Sequence, residues 1–226
     1  MTKNFFKNDP NFRECIQILN ELKINYWLCH GTLLGILRDK SLIPWDNDID
    51  IGTWDIKNKN KIIQNFVKRG FTYRNKHFGN NYLISFEKGN HRIVDINFYE
   101  IDKTRKYCFQ RHYAIKNIFC RAIYVLSVSN QYSGNYKKII RSLSFTEKLF
   151  KKFKIFLKKN NLFYIDAGFK TDIKYFKHLK LINYYGTNVK VPIFYKQYFE
   201  DLYGVSWKIP DKKYYWEKNK KKTILS

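Results

Sequence analysis

Pro44-Trp45-Asp46-Asn47-Asp48-Ile49-Asp50-Ile51-Gly52 is the stretch on which the reading of this chain turns. From Asp48 onward, acidic and apolar residues alternate, as in a strand with one face in a core. Asp48 and Asp50 then project from one face, and Ile49 and Ile51 from the other. Two carboxylates about 7 Å apart along a strand repel each other unless a cation lies between them. Hard oxygen donors of this kind suit Mg²⁺ or Mn²⁺. The chain has only 19 acidic residues, and three fall within these five positions, so a solvated acidic turn is the weaker reading.

Upstream, His30-Gly31-Thr32-Leu33-Leu34-Gly35 reads as a strand-to-helix turn. Free N–H groups at a helix start attract phosphate, Gly31 permits close approach, and the Thr32 hydroxyl adds a donor. Downstream, Asp95 sits in Arg92-Ile93-Val94-Asp95-Ile96-Asn97-Phe98, among strand-forming apolar residues. A carboxylate there is costly unless paired or metal-bound. It either completes the metal site, takes a proton from an attacking hydroxyl, or pairs with a Lys or Arg at a strand edge.

The surrounding periodicity supplies the frame. Asp9 and Pro10 start a helix with Phe12, Ile16, Leu19 and Leu22 on one side. Strands are expected over Ile24–His30 and Asp48–Trp54, a short helix over Leu33–Arg38, and an amphipathic helix over Lys59–Arg69. Tyr82–Glu87 and Arg92–Ile101 read as a hairpin turning at Gly89-Asn90. Lys106–Ser129 is expected to hold two further strands and Lys137–Lys159 to be helical. A small strand and a helix over Phe194–Tyr203 complete the legible part. The expected architecture is α+β or α/β, with a mixed sheet flanked by helices and a less regular, basic helical C-terminal part. Its expected division is 1–102 as catalytic core, 103–210 as a divergent substrate- or acceptor-binding part packed on the core, and 211–226 as a basic tail.

Composition bounds the class. With 44% hydrophobic and 19% aromatic residues among 226, the chain can bury a core and is not a disordered polymer. A net charge of +24 favours polyanionic partners, although Asn and Lys abundance also fits a source with an AT-rich genome. Cys15, Cys29, Cys108 and Cys120 form no Cys-x-x-Cys pair, which suits a reducing compartment better than a disulfide scaffold. Met1–Asp9 lacks the apolar stretch of a signal peptide, and Ile115–Val128 is too short and polar for a span. His30, His77, His91 and His178 have no partner spacing and are read as structural.

Gly31-Thr32-Leu33-Leu34-Gly35, Arg38, Ile43-Pro44-Trp45-Asp46, Asp48, Asp50 and Gly52 together resemble the LicD family, which includes bacterial phosphocholine transferases and is related to fukutin and fukutin-related protein. A weaker match runs from Val191-Pro192 to Tyr203-Gly204. The resemblance implies a nucleotidyltransferase fold and transfer of a phosphate-linked alcohol from a CDP-activated donor to a glycan hydroxyl. It implies that Asp48 and Asp50 bind Mg²⁺ on the donor pyrophosphate, that Asp46 supports or shares the metal, and that Asp95 is the third carboxylate. Gly31, Thr32 and Arg38 are expected to hold donor phosphate. The fukutin-related zinc cluster has no counterpart in the four scattered cysteines.

The expected function is therefore phosphocholine-like transfer onto a lipopolysaccharide, capsule or teichoic-acid glycan, on a lipid carrier at the cytoplasmic leaflet. The alternatives are a nucleotidyltransferase acting on RNA or a small molecule, and a non-enzymatic polyanion-binding module. Nucleic acid is the less favoured partner, since the Ile-Pro-Trp-Asp context favours the first reading over the second, while the three carboxylate positions speak against the non-enzymatic module. Between Lys137 and Lys180, thirteen Lys or Arg face three acids. Phe145, Leu149, Phe153 and Phe156 share a helical face, with Lys148, Lys151, Lys152, Lys154, Lys158 and Lys159 around it. Such a helix either rests on an anionic membrane or packs with its lysines solvated.

Overall fold

Asp9 caps helix α1 (Pro10–Glu21) by accepting the Asn11 N–H at 2.9 Å, and the helix buries Phe12, Cys15, Ile16 and Leu19. The protein is described here from a computed structural model covering residues 9–74, 82–132, 136–214 and 222–224, with only the backbone considered at 111–114, 131, 165–168 and 222–224. His77 and the side chains of Arg111 and His112 lie outside the described set, as does most of the basic tail.

After α1 come β1 (Tyr26–Leu28), α2 (His30–Leu34) and β2 (Asp48–Thr53). The helix expected over Leu33–Arg38 begins earlier, at His30. From Gly35 to Asp39 it widens into a π turn closed by Lys40 in the left-handed region (φ 54°). Helix α3 (Lys59–Lys68) buries Ile62 and Phe66 and leads through β3 (Thr72–Arg74) to the predicted hairpin of β4 (Leu83–Glu87) and β5 (Ile93–Ile101).

The decisive pairing is long-range. β2 lies parallel to β5, Asp50 opposite Asp95 and Ile51 opposite Ile96. β1 runs antiparallel on the outer side of β2, and β4 antiparallel beside Val94–Asn97. A mixed sheet flanked by helices results, as expected. One face carries the acids, while Ile49, Ile51, Val94 and Ile96 on the other are fully buried. Gly52 is needed on β2 because a β-carbon there would enter the indole of Trp27.

Two compact units divide the chain: Met1–His112 with Gly168–Thr223, and Tyr113–Ala167 with Ile224–Ser226. The boundaries expected at 102 and 210 do not coincide with these units, because β6 (Tyr107–Ile115) carries the chain out of the first and β7 (Tyr164–Asp172) returns it. In the returning segment, α7 (Lys174–Lys177) places Phe176 on Trp27, ring centroids 4.8 Å apart. A hairpin of β8 (Leu179–Tyr184) and β9 (Thr187–Pro192), where sequence suggests one small strand, turns at Gly186 (φ 78°). Helix α8 (Tyr195–Tyr203) follows close to expectation.

Across Lys106–Ser129 only one of the two expected strands forms, β6. Asn117 instead caps helix α4 (Ile118–Leu126), accepting the Cys120 N–H at 2.9 Å, so Cys120 and Ile123 fall on one buried helical side. The predicted Lys137–Lys159 helix is two, α5 (Lys137–Ser142) and α6 (Glu147–Lys159), parted by a 3₁₀ turn at Ser144–Thr146. Cys120, Ile123, Leu157 and Phe163 form a small core of their own.

Candidate active site

Register assembles the site. Asp50 and Asp95 are direct neighbours on the parallel strands β2 and β5, Ser85 on β4 is the next neighbour of Asp95, and Asp48 lies two residues before Asp50 on the same face. Carboxylate oxygens of Asp48, Asp50 and Asp95 all lie within 4.8 Å of one another. The three predicted catalytic carboxylates are thus one cluster, although Asp95 comes from a segment far along the chain.

The backbone around it is pinned from several directions. The Asp50 N–H donates to Thr32 Oγ1 at 2.8 Å, and the Cys29 N–H donates to the Asp50 carbonyl at 3.2 Å. The Gly31 backbone hydrogen-bonds the Asp50 carboxylate. A β-carbon on Gly31 would collide with Asp46 Oδ2, so glycine lets the Asp46 side chain lie against the start of α2. Ser85 donates its hydroxyl proton to Asp95 Oδ1 at 2.5 Å. Arg92 is wholly buried: its guanidinium donates to the carbonyls of Asp46 (3.2 Å) and Ile43 (3.0 Å) and stands 3.7 Å from Asp9 Oδ2. It therefore fixes the Ile43–Asp46 turn that delivers the chain to β2.

These carboxylates repel and are starved of water. Burial, then Asp48, Asp46 and Asp95, hold Asp50 well above the usual carboxylate range. Burial and the neighbouring Asp48 push Asp46 up to about 8, against the opposing pull of Arg92. Burial raises Asp95 to about 7, with the Ser85 hydrogen bond and Arg74 pulling the other way. Three convergent hard-oxygen donors whose ionised forms lack adequate counter-charge fit a divalent cation of the Mg²⁺ or Mn²⁺ type.

The other predicted binding residues are placed differently. Gly31 meets the Asp46 and Asp50 side chains. Thr32 is buried, and its hydroxyl accepts from β2. Arg38 makes a two-pronged pair with Asp39, both contacts 2.7 Å, and donates to the Trp207 carbonyl at 3.2 Å. Sequence reasoning missed Ser85 and Arg92. It also missed a buried polar chain: His30 Nε2 lies 2.8 Å from Gln110 Oε1 and 3.2 Å from the Tyr99 hydroxyl, and Gln110 donates to Asn97 Oδ1 at 2.5 Å. Burial lowers His30 to about 4, so it is neutral near pH 7 and serves the frame around the acids.

Residues 23–124 match the family described as LicD/FKTN/FKRP, nucleotidyltransferase domain. Ribitol 5-phosphate transferase FKRP of Homo sapiens is 31% identical over 91 residues, 37% of this chain and 18% of that protein. Lipopolysaccharide cholinephosphotransferase LicD of Haemophilus influenzae is 46% identical over 44 residues, 16% of this chain and 17% of that protein. The matched stretches thus cover under a fifth of each relative. Among solved structures, the lincomycin-bound lincosamide antibiotic adenylyltransferase LnuA is similar at 13% identity and a TM-score of 0.44, over 84% of this chain and 82% of that one. Asp48, Asp50 and Asp95 all fall within the residues that match the nucleotidyltransferase domain of the LicD/FKTN/FKRP family.

Proposed function

We propose that this chain transfers a phosphate-linked alcohol, phosphocholine-like, from a CDP-activated donor to a hydroxyl of a cell-surface glycan. The observation that carries the reading is the Asp48–Asp50–Asp95 cluster inside a LicD-family domain. The names of the two relatives, a ribitol 5-phosphate transferase and a lipopolysaccharide cholinephosphotransferase, support a phosphate-linked alcohol as the group moved.

Asp48, Asp50 and Asp95 would hold Mg²⁺ or Mn²⁺, with Asp46 in support. When bound, the ion supplies charge neutralisation for the donor pyrophosphate and the departing CMP phosphate. The chain's own groups do the positioning. Thr32 and Cys29 fix the backbone on both sides of Asp50, so its carboxylate keeps one aim. Ser85 occupies one oxygen of Asp95 and leaves the other to orient the acceptor hydroxyl or take its proton. Gly31 keeps backbone close to the carboxylates and to arriving phosphate. Arg38 would join the donor by exchanging Asp39, whose side chain is a quarter exposed, for a phosphate oxygen. The reading places the enzyme on the cytoplasmic side, working on a lipid-linked glycan.

The test is to incubate the protein with Mg²⁺, a panel of CDP-alcohols and nucleoside triphosphates, and a total glycan extract, and to measure CMP and pyrophosphate. CMP from one CDP-alcohol, abolished in Asp48→Ala, is the expected result and names the donor. Pyrophosphate from a triphosphate instead refutes alcohol-phosphate transfer and makes the chain a nucleotidyltransferase. Release of neither, with every donor, refutes both.

A further inference from the structure

Helix α6 has more apolar surface than its neighbours can cover. Phe150 and Leu157 turn inward onto α4, and Leu157 joins the small core. A second stripe, Leu149, Phe153 and Phe156, faces outward and is 66%, 37% and 56% exposed. Phe119 of α4, 59% exposed, extends it, its ring 6.3 Å from Phe153, which stacks on Phe156 at the same distance. The patch is continuous and lies within the second unit. Patches of this kind on soluble domains mark interaction sites.

Its border is cationic. Residues 137–159 hold one acid, Glu147, which is buried and bonded to the Asn130 N–H at 2.7 Å and to Lys151 at 2.6 Å. Lys154 turns to the Ser127 hydroxyl (2.8 Å), and Lys158 stands over the Tyr164 ring. These contacts take Lys151, Lys154 and Lys158 out of the ring of lysines expected from sequence. Lys148, Lys152 and Lys159, all exposed, remain along the free edge of the stripe, where helical spacing puts them side by side.

We infer that this face is a docking surface for an anionic lipid bilayer, with Phe153, Phe156, Leu149 and Phe119 entering the headgroup–acyl boundary and Lys148, Lys152 and Lys159 engaging lipid phosphates. Charge complementarity chooses this occupant: the stripe is edged by cations with no exposed acid on the same helix. The aliphatic members favour lipid over nucleic acid, because base stacking rewards rings alone, whereas acyl chains reward Leu149 and the 82%-exposed Ile118 as well. The inference is independent of the reaction proposed above.

The experiment is co-sedimentation of the full chain with vesicles of phosphatidylcholine, alone and mixed with phosphatidylglycerol, at low and high salt. Binding to the mixed vesicles that weakens with salt is expected. Lys148→Gln, Lys152→Gln and Lys159→Gln should each weaken it about fivefold. Phe153→Ser with Phe156→Ser should abolish it, with the helical circular dichroism retained. Absence of binding, equal binding to neutral and mixed vesicles, or full binding by the Phe double variant overturns the proposal. So does loss of self-association or of binding to homopolymeric RNA in that variant while its vesicle binding is intact. Should the Phe variant not fold, the Lys series and the salt dependence decide alone.

Discussion

Asp95→Asn should stabilise the metal-free protein, and by an amount that grows with pH. Asp95 is raised from 3.8 in the open chain to about 7 in the fold. A folded-state value above the unfolded one means that unfolding releases a proton between those limits. Stability is therefore lost as pH climbs from about 4 through about 7. Each tenfold in proton affinity is about 1.4 kcal/mol, so the cost of Asp95 reaches on the order of 4 kcal/mol above pH 7. Asn keeps the oxygen that accepts the Ser85 hydroxyl and removes the charge. The advantage of the variant over the parent should therefore grow by roughly 3 kcal/mol between pH 4.5 and 8. In a chain of this length that is about 6–12 °C in melting temperature. Differential scanning calorimetry of both proteins at the two pH values, with EDTA, measures it. Saturating Mn²⁺ should then reverse the order at pH 8, raising the parent and leaving the variant nearly unmoved. A difference that is flat or falls with pH would falsify the claim that burial and like charge strain this carboxylate. Equal Mn²⁺ shifts would remove Asp95 from the metal site.

The same electrostatics make metal affinity pH-dependent: Asp46 at about 8 and Asp95 at about 7 must lose protons to take a cation. Calorimetric titration with Mn²⁺ should show at least about tenfold weaker binding at pH 6.5 than at 8.5, with net proton release that depends on buffer ionisation heat; pH-independent binding contradicts this. Gly31→Ala drives a methyl into the Asp46 carboxylate. It should cost about 1–3 kcal/mol of stability and weaken Mn²⁺ binding, and an unchanged melting temperature and Mn²⁺ affinity would show that Asp46 moves aside freely. Arg92→Met leaves Asp9 without its buried partner and frees the carbonyls of Ile43 and Asp46. A loss of about 3–5 kcal/mol is expected, seen as an early urea midpoint, and a shift under about 1 kcal/mol would assign the turn's order to other contacts.

How much of this could be read beforehand differs from residue to residue. Asp48 and Asp50 were legible because alternation on one strand is local, and the β4–β5 hairpin because Gly89-Asn90 marks its turn. That Asp95 lies opposite Asp50 was not, since parallel strands are joined by a long crossover and no spacing encodes their register. Arg92 is one cation among 43 Lys and Arg, and nothing in its neighbours announces that it is buried. That the Thr32 hydroxyl accepts the Asp50 N–H is not legible either, since it depends on how α2 meets β2 and no local pattern encodes that contact. In Ile118–Leu126 the apolar run suits strand and helix equally, and the Asn117 cap decides for helix.

The parallel seam between β2 and β5 also sets when the site can exist. Asp48–Asp50 and Asp95 come from segments forty-five positions apart, and only their side-by-side alignment unites them. A slip of one residue would turn Asp95 into the apolar interior and put Val94 or Ile96 beside the other two. No fragment ending before β5 can bring Asp48, Asp50 and Asp95 together, so any cation capture by all three would wait for a pairing of strands forty-five positions apart. If the triad takes Mn²⁺ as proposed, uptake after a denaturant jump would time the closure of that crossover, separately from the helices on either side.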